Sequence, residues 1–222
     1  DLGTAVESID WSGDGVETLT SKGTVSSKVV IVSVSTGVLA ANRIRFEPGL
    51  PDTTCAAISA LPMGRLTKVA IQFDRNVYGP FTDDCFIYYD GPGSSLNIIT
   101  GYVGSTMTVA SAGGSLADEL EALDVEDAAD YLLDRLEKAF DSKLRQYVTA
   151  TDRTQWGCDP DVGGSYSVAI AGHSGARLAL AEPIANRLFF AGEATSVHHY
   201  GLVHGAFLEG RAVAERVVAL LR

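Results

Sequence analysis

The stretch FFAGEATSVHHYGLVHGAFLEG, residues 189–210, sets three histidines and four glycines between an apolar start and a helix-like end. It admits a metal site, an anion cradle or a packing corner, and each implies a different chemistry. A metal would need His198, His199 and His204 to converge, yet neighbouring residues on one segment usually point apart. The chain carries no H-E-x-x-H, and no cysteine or carboxylate is spaced to complete a ligand set. No metal is expected, and the histidines read as solvent-facing or locally hydrogen-bonded.

A phosphate cradle fares differently. Gly13-x-Gly15 and Gly91-x-Gly93 both lack the third glycine of G-x-G-x-x-G, and no G-x-x-x-x-G-K-[ST] occurs. A self-contained nucleotide-binding βαβ start is therefore absent from these residues. Strand, glycine, loop and then a helix opening at Gly201-Leu202-Val203 is nevertheless how a chain aims a helix N-terminus at an anion. Gly205 and Gly210 inside that helix each cost about 1 kcal/mol relative to alanine. Something is expected to approach the backbone there, either a ligand or another packed element.

Outward from this stretch, the chain alternates strands and turns. AVESIDW and VETLT read as strands, and SGDG and SKGT as turns. VSSKVVIVSVS is nearly continuous in Val and Ile and predicts a strand buried on both faces, as in a parallel sheet. NRIRFEPGLP is an extended connector, DTTCAAISAL a short helix and LTKVAIQF a strand. YGPFTDD is expected to be a loop, CFIYYD a strand, GPGSS a turn and LNIITGYV a strand, with TMTVASAGG leading into the helical region.

DVEDAADYLLDRLEKAF predicts the clearest helix. Asp124 is its N-cap, acids fill its first turn, and Ala128, Leu132, Leu136 and Phe140 lie on one face. WGCDPDVGGSYS is too rich in Gly, Pro and Asp to be anything but irregular, and RLFFAG reads as a short buried strand. A final helix from about Leu202 to Leu221 aligns Ala206, Val213, Val217 and Leu221.

Composition limits the function classes. With 222 residues, 46% of them hydrophobic, the chain can bury a large core. A net charge of −11 argues against non-specific binding to nucleic acid or anionic membranes. No apolar run approaches the roughly 20 residues that span a bilayer, and the start DLGTAVESID lacks the features of a signal peptide. Cys55, Cys85 and Cys158 are an odd number without C-x-x-C spacing, which reads as free thiols in a reducing, cytoplasmic setting.

RLFFAGEAT followed by YGLVHGAFLEGRAVAERV resembles the C-terminal signature of the flavin-containing amine oxidases, the family of monoamine oxidases, polyamine oxidases, L-amino acid oxidases and flavin histone demethylases. Three other segments match in the family's order: VVIVSVSTGVLAANRIRFEPGLP, ISALPMGRLTKVAIQF and WGCDPDVGGSYS. The resemblance covers only the C-terminal half of such proteins.

It implies a mixed α/β (α+β) fold: late strands and final helix of an FAD-binding domain plus a mixed-sheet substrate domain with helices. The expected divisions are 1–40 and 186–222 for the FAD-binding part and 41–185 for the substrate-binding part. Lys68 takes the place of the family lysine that holds a water beside flavin N5, and Tyr166 that of a tyrosine near the flavin face that lines the amine's approach. Trp156 matches a tryptophan near the isoalloxazine, and Gly192 and Glu193 a cofactor-contacting corner. Leu202 and Val203 mark the helix start that meets the flavin, and Val6 matches a valine whose backbone meets the adenine.

Ser165 stands where monoamine oxidases have the cysteine that bonds flavin, implying non-covalent FAD. Leu202 stands where they carry the second tyrosine of an aromatic cage, which shifts the expected substrate from arylalkylamines toward polyamines or other bulky amines. Without a dinucleotide fingerprint, these residues alone are expected to bind FAD weakly and to be inactive. The expected partners are a small-molecule amine, the absent FAD-binding half or a partner chain, and a second copy should the chain form a homodimer. The competing expectation is a non-catalytic binding or assembly module that keeps the substrate-domain fold.

Overall fold

Short alternating runs broken by Gly, Ser and Asp fold back on themselves at the N-terminus. Strands β1 (Val6–Asp10), β2 (Val16–Thr20) and β3 (Gly23–Ser27) form an antiparallel meander. Strand β4 (Val30–Val32), helix α1 (Thr36–Ala40), strand β5 (Arg45–Glu47) and helix α2 (Asp52–Ser59) follow. Next come β6 (Leu66–Phe73), β7 (Cys85–Tyr89), β8 (Ser94–Ile99), β9 (Met107–Gly114), α3 (Ser115–Ala122), α4 (Val125–Phe140) and β10 (Val148–Arg153). The chain ends with α5 (Ala176–Ala181), β11 (Leu188–Phe190) and α6 (Val203–Leu220).

The computed structural model describes residues 1–80, 85–89, 94–140 and 143–222, with backbone alone for 85–89, 94 and 95. Most of the loop expected at YGPFTDD and of the turn expected at GPGSS falls on 81–84 and 91–93, outside the described residues.

Contacts divide the chain into two units, one of residues 1–64 with 160–222 and one of residues 65–159. These boundaries differ from the expected 1–40, 41–185 and 186–222. Residues 41–64 and 160–185 pack with the terminal segments because α2 lies on α5 and their apolar faces share a core with β4 and β11.

The first unit holds two sheets. One has the order β3-β2-β1-β5, with β1 and β5 parallel; the other is the parallel pair β11-β4. Its core gathers Ile9, Val16, Val32, Ile58, Leu61, Leu180, Leu188 and Phe190. The Val- and Ile-rich run VSSKVVIVSVS is not one buried strand. It breaks after Ser27: β3 is an exposed sheet edge, and only Val30–Val32 enters the parallel pair. Even there Ile31 is 39% exposed while Val32 is buried, so apolar composition overstated the burial.

The second unit is a five-stranded antiparallel sheet of order β10-β6-β9-β8-β7, with α3 and α4 against it. The alternation of LTKVAIQF becomes β6, with Thr67, Val69, Ile71 and Phe73 buried. The TMTVASAGG segment, expected only to lead into helices, is the central strand β9. Its small residues let Ala110 and Ala112 bury against the α3 and α4 layer. Asp124 caps α4 as expected, its Oδ1 accepting from the Asp127 amide at 2.8 Å, and Ala128, Leu132 and Leu136 are buried.

Tyr78 closes one end of this core, edge-on to Phe73 and tilted on Phe140, its hydroxyl 2.6 Å from Thr108 Oγ1. Burial pushes its pKa up to about 12, opposed by the Thr108 hydrogen bond. A phenol held above its unfolded value of about 10 stabilises the fold fully below that pH and loses its contribution as pH rises toward 12. Urea titrations across this window should show a steeper loss of stability for the native sequence than for Tyr78→Phe; parallel curves would contradict this origin.

Candidate functional site

Both strands of the parallel pair end at one cavity. Beyond the carboxyl ends of β4 and β11, the 33–35 and 191–195 segments frame a space of about 230 Å³, with Met63, Ser165 and Ala206 also lining it. Crevices outside strand C-termini are where open α/β sheets receive ligands. Ser35 shapes this one twice, capping α1 through the Val38 amide at 3.1 Å and donating to the Val162 carbonyl at 2.5 Å.

Gly192 turns the chain here with φ +145°, a conformation that side-chain-bearing residues rarely adopt, and nothing lies within 4 Å of where its Cβ would be. Glu193, next in line, gathers three donors. Its carboxylate accepts from the Ser167 amide at 2.8 Å, the Ser167 hydroxyl at 2.9 Å and the Gly201 amide at 2.6 Å. Gly201, at φ +70°, brings its backbone against the Tyr166 ring, so that a Cβ on it would lie 3.7 Å from the ring's Cδ2. Tyr166 also accepts from the Gly64 amide through its carbonyl at 2.6 Å. Its ring is packed between two glycines and 37% exposed.

Two residues after Gly201, α6 begins without a side-chain cap. Val203 is 90% exposed, and among the described residues the Val203 and His204 amides have no acceptor. The helix N-terminus therefore presents free amides and a positive dipole end.

The histidines settle into a local arrangement. His204 Nε2 lies 3.3 Å from His199 Nδ1, with the rings 4.9 Å apart, and His198 is exposed. Among the described residues no group of three His, Cys, Asp or Glu side chains is arranged to hold a metal. Gly205 answers the question of what approaches the helix. A Cβ there would lie 2.0 Å from the His199 carbonyl oxygen, so the close element is the chain's own preceding loop. Gly210 has open space instead. Of the expected stripe, Val217 is buried and Ala206 and Val213 partly so, whereas Leu221, just past the last helical residue, is 45% exposed.

Arg177 and Ser167 complete this region, and neither carries a sequence signal of a role. Both are buried, and Arg177 Nη1 donates to Ser167 Oγ at 2.6 Å and to the Ala194 carbonyl at 3.1 Å. Burial pushes the guanidinium pKa down, against the opposing pull of the Glu193 carboxylate.

Lys68 and Trp156 belong to the other unit, where Thr154 links their neighbourhoods. The Lys68 amide donates to Thr154 Oγ1 at 2.8 Å, and its carbonyl accepts from the Thr154 amide at 2.9 Å. The exposed Lys68 side chain lines a cavity of about 230 Å³ with Tyr102, Met107 and Asp152, and among the described residues its ammonium has no partner. Trp156 is 46% exposed beside a separate cavity of about 450 Å³ formed by the loop after β10. In the first unit, Val6 lies in β1 at a third cavity, of about 510 Å³, which shares Val34 with the cavity at Gly192. The structure thus gathers Tyr166, Gly192, Glu193, Leu202 and Val203 in one unit, and Lys68 and Trp156 in the other. Cys55 and Cys158 are free and exposed; the side chain of Cys85 lies outside the described residues.

Comparison with known proteins gives the frame for this geometry. Residues 1–218 match the family described as flavin containing amine oxidoreductase. The chain belongs to this family.

Among its relatives, the probable polyamine oxidase 4 of Arabidopsis thaliana is 37% identical over 194 residues, covering 84% of this chain and 37% of that protein. Polyamine oxidase 4 of Oryza sativa subsp. japonica is 36% identical, covering 91% of this chain and 42% of that protein. Lysine-specific histone demethylase 1 homolog 2 of Arabidopsis thaliana is 32% identical across 97% of this chain and 30% of its own length. The chain therefore spans less than half the length of these relatives.

Cyclohexylamine oxidase from Brevibacterium oxydans IH-35A shares the fold, with a TM-score of 0.79 at 24% identity, over 98% of this chain and 48% of that one. The mixed α/β architecture is thus that of the flavin amine oxidases. The residues present fit a flavin in three respects: the open Gly192 backbone, the cavity at the strand C-termini and the uncapped α6 start.

Proposed function

We propose that the protein containing this chain is an FAD-dependent amine oxidase, converting a primary or secondary amine to an imine, with oxygen reduced to hydrogen peroxide. The observation that carries this reading is the convergence of Tyr166, Gly201 and the uncapped start of α6 within one unit. The relatives named as polyamine oxidases support a polyamine-like or other bulky amine as substrate. Leu202 agrees with this choice, since an aliphatic side chain there leaves a wider approach than a second aromatic ring.

When bound, FAD supplies the acceptor for the hydride equivalent leaving the carbon next to nitrogen. The Val203 and His204 amides would hold the polar edge of the ring system, where the helix dipole favours negative charge. Gly192 lets the backbone approach closely. The Tyr166 ring supplies an apolar wall that favours the neutral, reactive form of the amine by desolvation. Lys68 keeps a free ammonium that would hold a water by hydrogen bonding. Ser165 offers no thiolate for a flavin bond, so the cofactor would be held non-covalently. Since no dinucleotide fingerprint lies within the 222 residues, we expect these residues by themselves to hold FAD weakly.

The deciding measurement, made on the whole protein that contains this chain, is its visible spectrum together with amine-dependent peroxide release. A stoichiometric flavin, released intact by acid, with peroxide formed on a polyamine is the expected result. A colourless protein that releases no peroxide would instead support an assembly module. Lys68→Met should slow flavin reduction or reoxidation at least tenfold in stopped-flow traces while leaving thermal stability unchanged, because among the described residues the ammonium holds no structural partner. Unchanged rates with oxygen would remove Lys68 from the mechanism.

A further inference from the structure

Arg177 carries a charge that the proposed oxidation does not use. The residue is only 3% exposed. Its partners are all neutral: Ser167 Oγ at 2.6 Å, the Ala194 carbonyl at 3.1 Å and the Ser167 carbonyl at 3.1 Å. Among the described residues no carboxylate stands within ion-pair distance; Glu193, linked to it through the Ser167 hydroxyl, offsets its charge only in part. A buried cation surrounded by neutral acceptors is incompletely compensated, and that is costly unless an opposite charge can reach it. These bonds use three of its five N–H groups.

Arg177 is also part of the lining of a cavity of about 490 Å³, whose other walls include Tyr166, Val168, Ala169, Val197 and Tyr200. The volume falls in the range of small-molecule sites, and mostly apolar walls with a few placed polar groups, here Arg177, Ser167 and Ser174, are their usual make-up. The Tyr200 ring covers the guanidinium at 4.3 Å and restricts its orientation. A protonated amine is disfavoured here by the same charge, and an anion is favoured. The net charge of −11 does not bar an anion, since salt screens charges that lie farther than about 8 Å from the site. At contact range the guanidinium decides.

We propose that this cavity binds a small carboxylate with an apolar or aromatic body, the carboxylate on Arg177 and the body against Val168, Val197 and Tyr200. The site does not depend on the oxidase reading, and its test does not use activity. The purified protein is titrated by calorimetry, at fixed ionic strength, with 3-phenylpropanoate and with its neutral isostere 3-phenylpropanamide. Saturable one-to-one binding of the acid, at least tenfold tighter than the amide, is expected, with a tenfold or greater loss in Arg177→Gln. Because Arg177 also anchors Ser167 and Ala194, Val197→Trp is measured beside it. That variant fills the cavity, leaves the Arg177 bonds in place, and should lose binding without a change in melting temperature. Absence of acid binding, equal binding of acid and amide, or acid binding that survives Val197→Trp would each overturn the proposal.

Discussion

Replacing Gly205 with alanine should destabilise the protein by about 2 kcal/mol, although alanine is the better helix former by about 1 kcal/mol. The added methyl would lie 2.0 Å from the His199 carbonyl oxygen and 2.8 Å from its carbon, both backbone atoms with no rotamer to yield. The 199–201 loop must shift, and with it the Gly201 amide on Glu193 and the backbone beneath the Tyr166 ring. Gly210→Ala in the same helix meets nothing within 4 Å and should stabilise by about 0.5–1 kcal/mol. Urea unfolding of the two variants side by side is the check. A Gly205→Ala protein as stable as the native one would mean that the loop is free to move away.

Glu193→Ala should cost about 3–4 kcal/mol, since hydrogen bonds to a charged acceptor contribute roughly 1.5–3 kcal/mol each and do not add fully. Three donors lose their acceptor at once: the amide and hydroxyl of Ser167, which is only 1% exposed, and the Gly201 amide. Arg177 would also lose the carboxylate that partly balances its charge. Glu193→Gln keeps one acceptor oxygen but turns an amide NH2 toward a donor, so its loss should be intermediate. Chemical denaturation gives the ranking, and flavin content gives the functional consequence through Tyr166 and the α6 start. An alanine variant within about 0.5 kcal/mol of the native protein would show that the carboxylate contributes little.

The segments that form the candidate site were legible before the fold was known, but for unequal reasons. The helix opening at Gly201-Leu202-Val203 is visible locally, because a strand, a glycine-bearing loop and a helix start are sequence-scale features, whereas Gly192 stood out only through the family resemblance. Glu193 was legible as a corner residue; its work on Ser167 and Gly201 was not, since one partner lies 26 residues away. Arg177 gave no sign, because a lone arginine in the short helix ARLALA looks like an ordinary surface residue until the chain folds over it. The histidines drew attention for their type, and the part that matters in His199 is its carbonyl.

Alternation alone determined β6, and capping with a fourfold apolar face determined α4, because both patterns depend on neighbours within a few residues. The break between β3 and β4, the central place of β9 and the boundaries at 64/65 and 159/160 depend instead on which strands pair and which faces meet. Those choices rest on contacts between distant residues, which composition and periodicity do not encode. The sequence by itself determined the family, the helix that opens at Val203 and the glycine that precedes it. Tertiary structure alone decided that Glu193 is a clasp, that Gly205 makes room for the chain's own loop and that Arg177 is buried beside an apolar cavity. In each case the reason is the same: a carboxylate, a missing Cβ and a guanidinium take their meaning from atoms that only folding brings within reach.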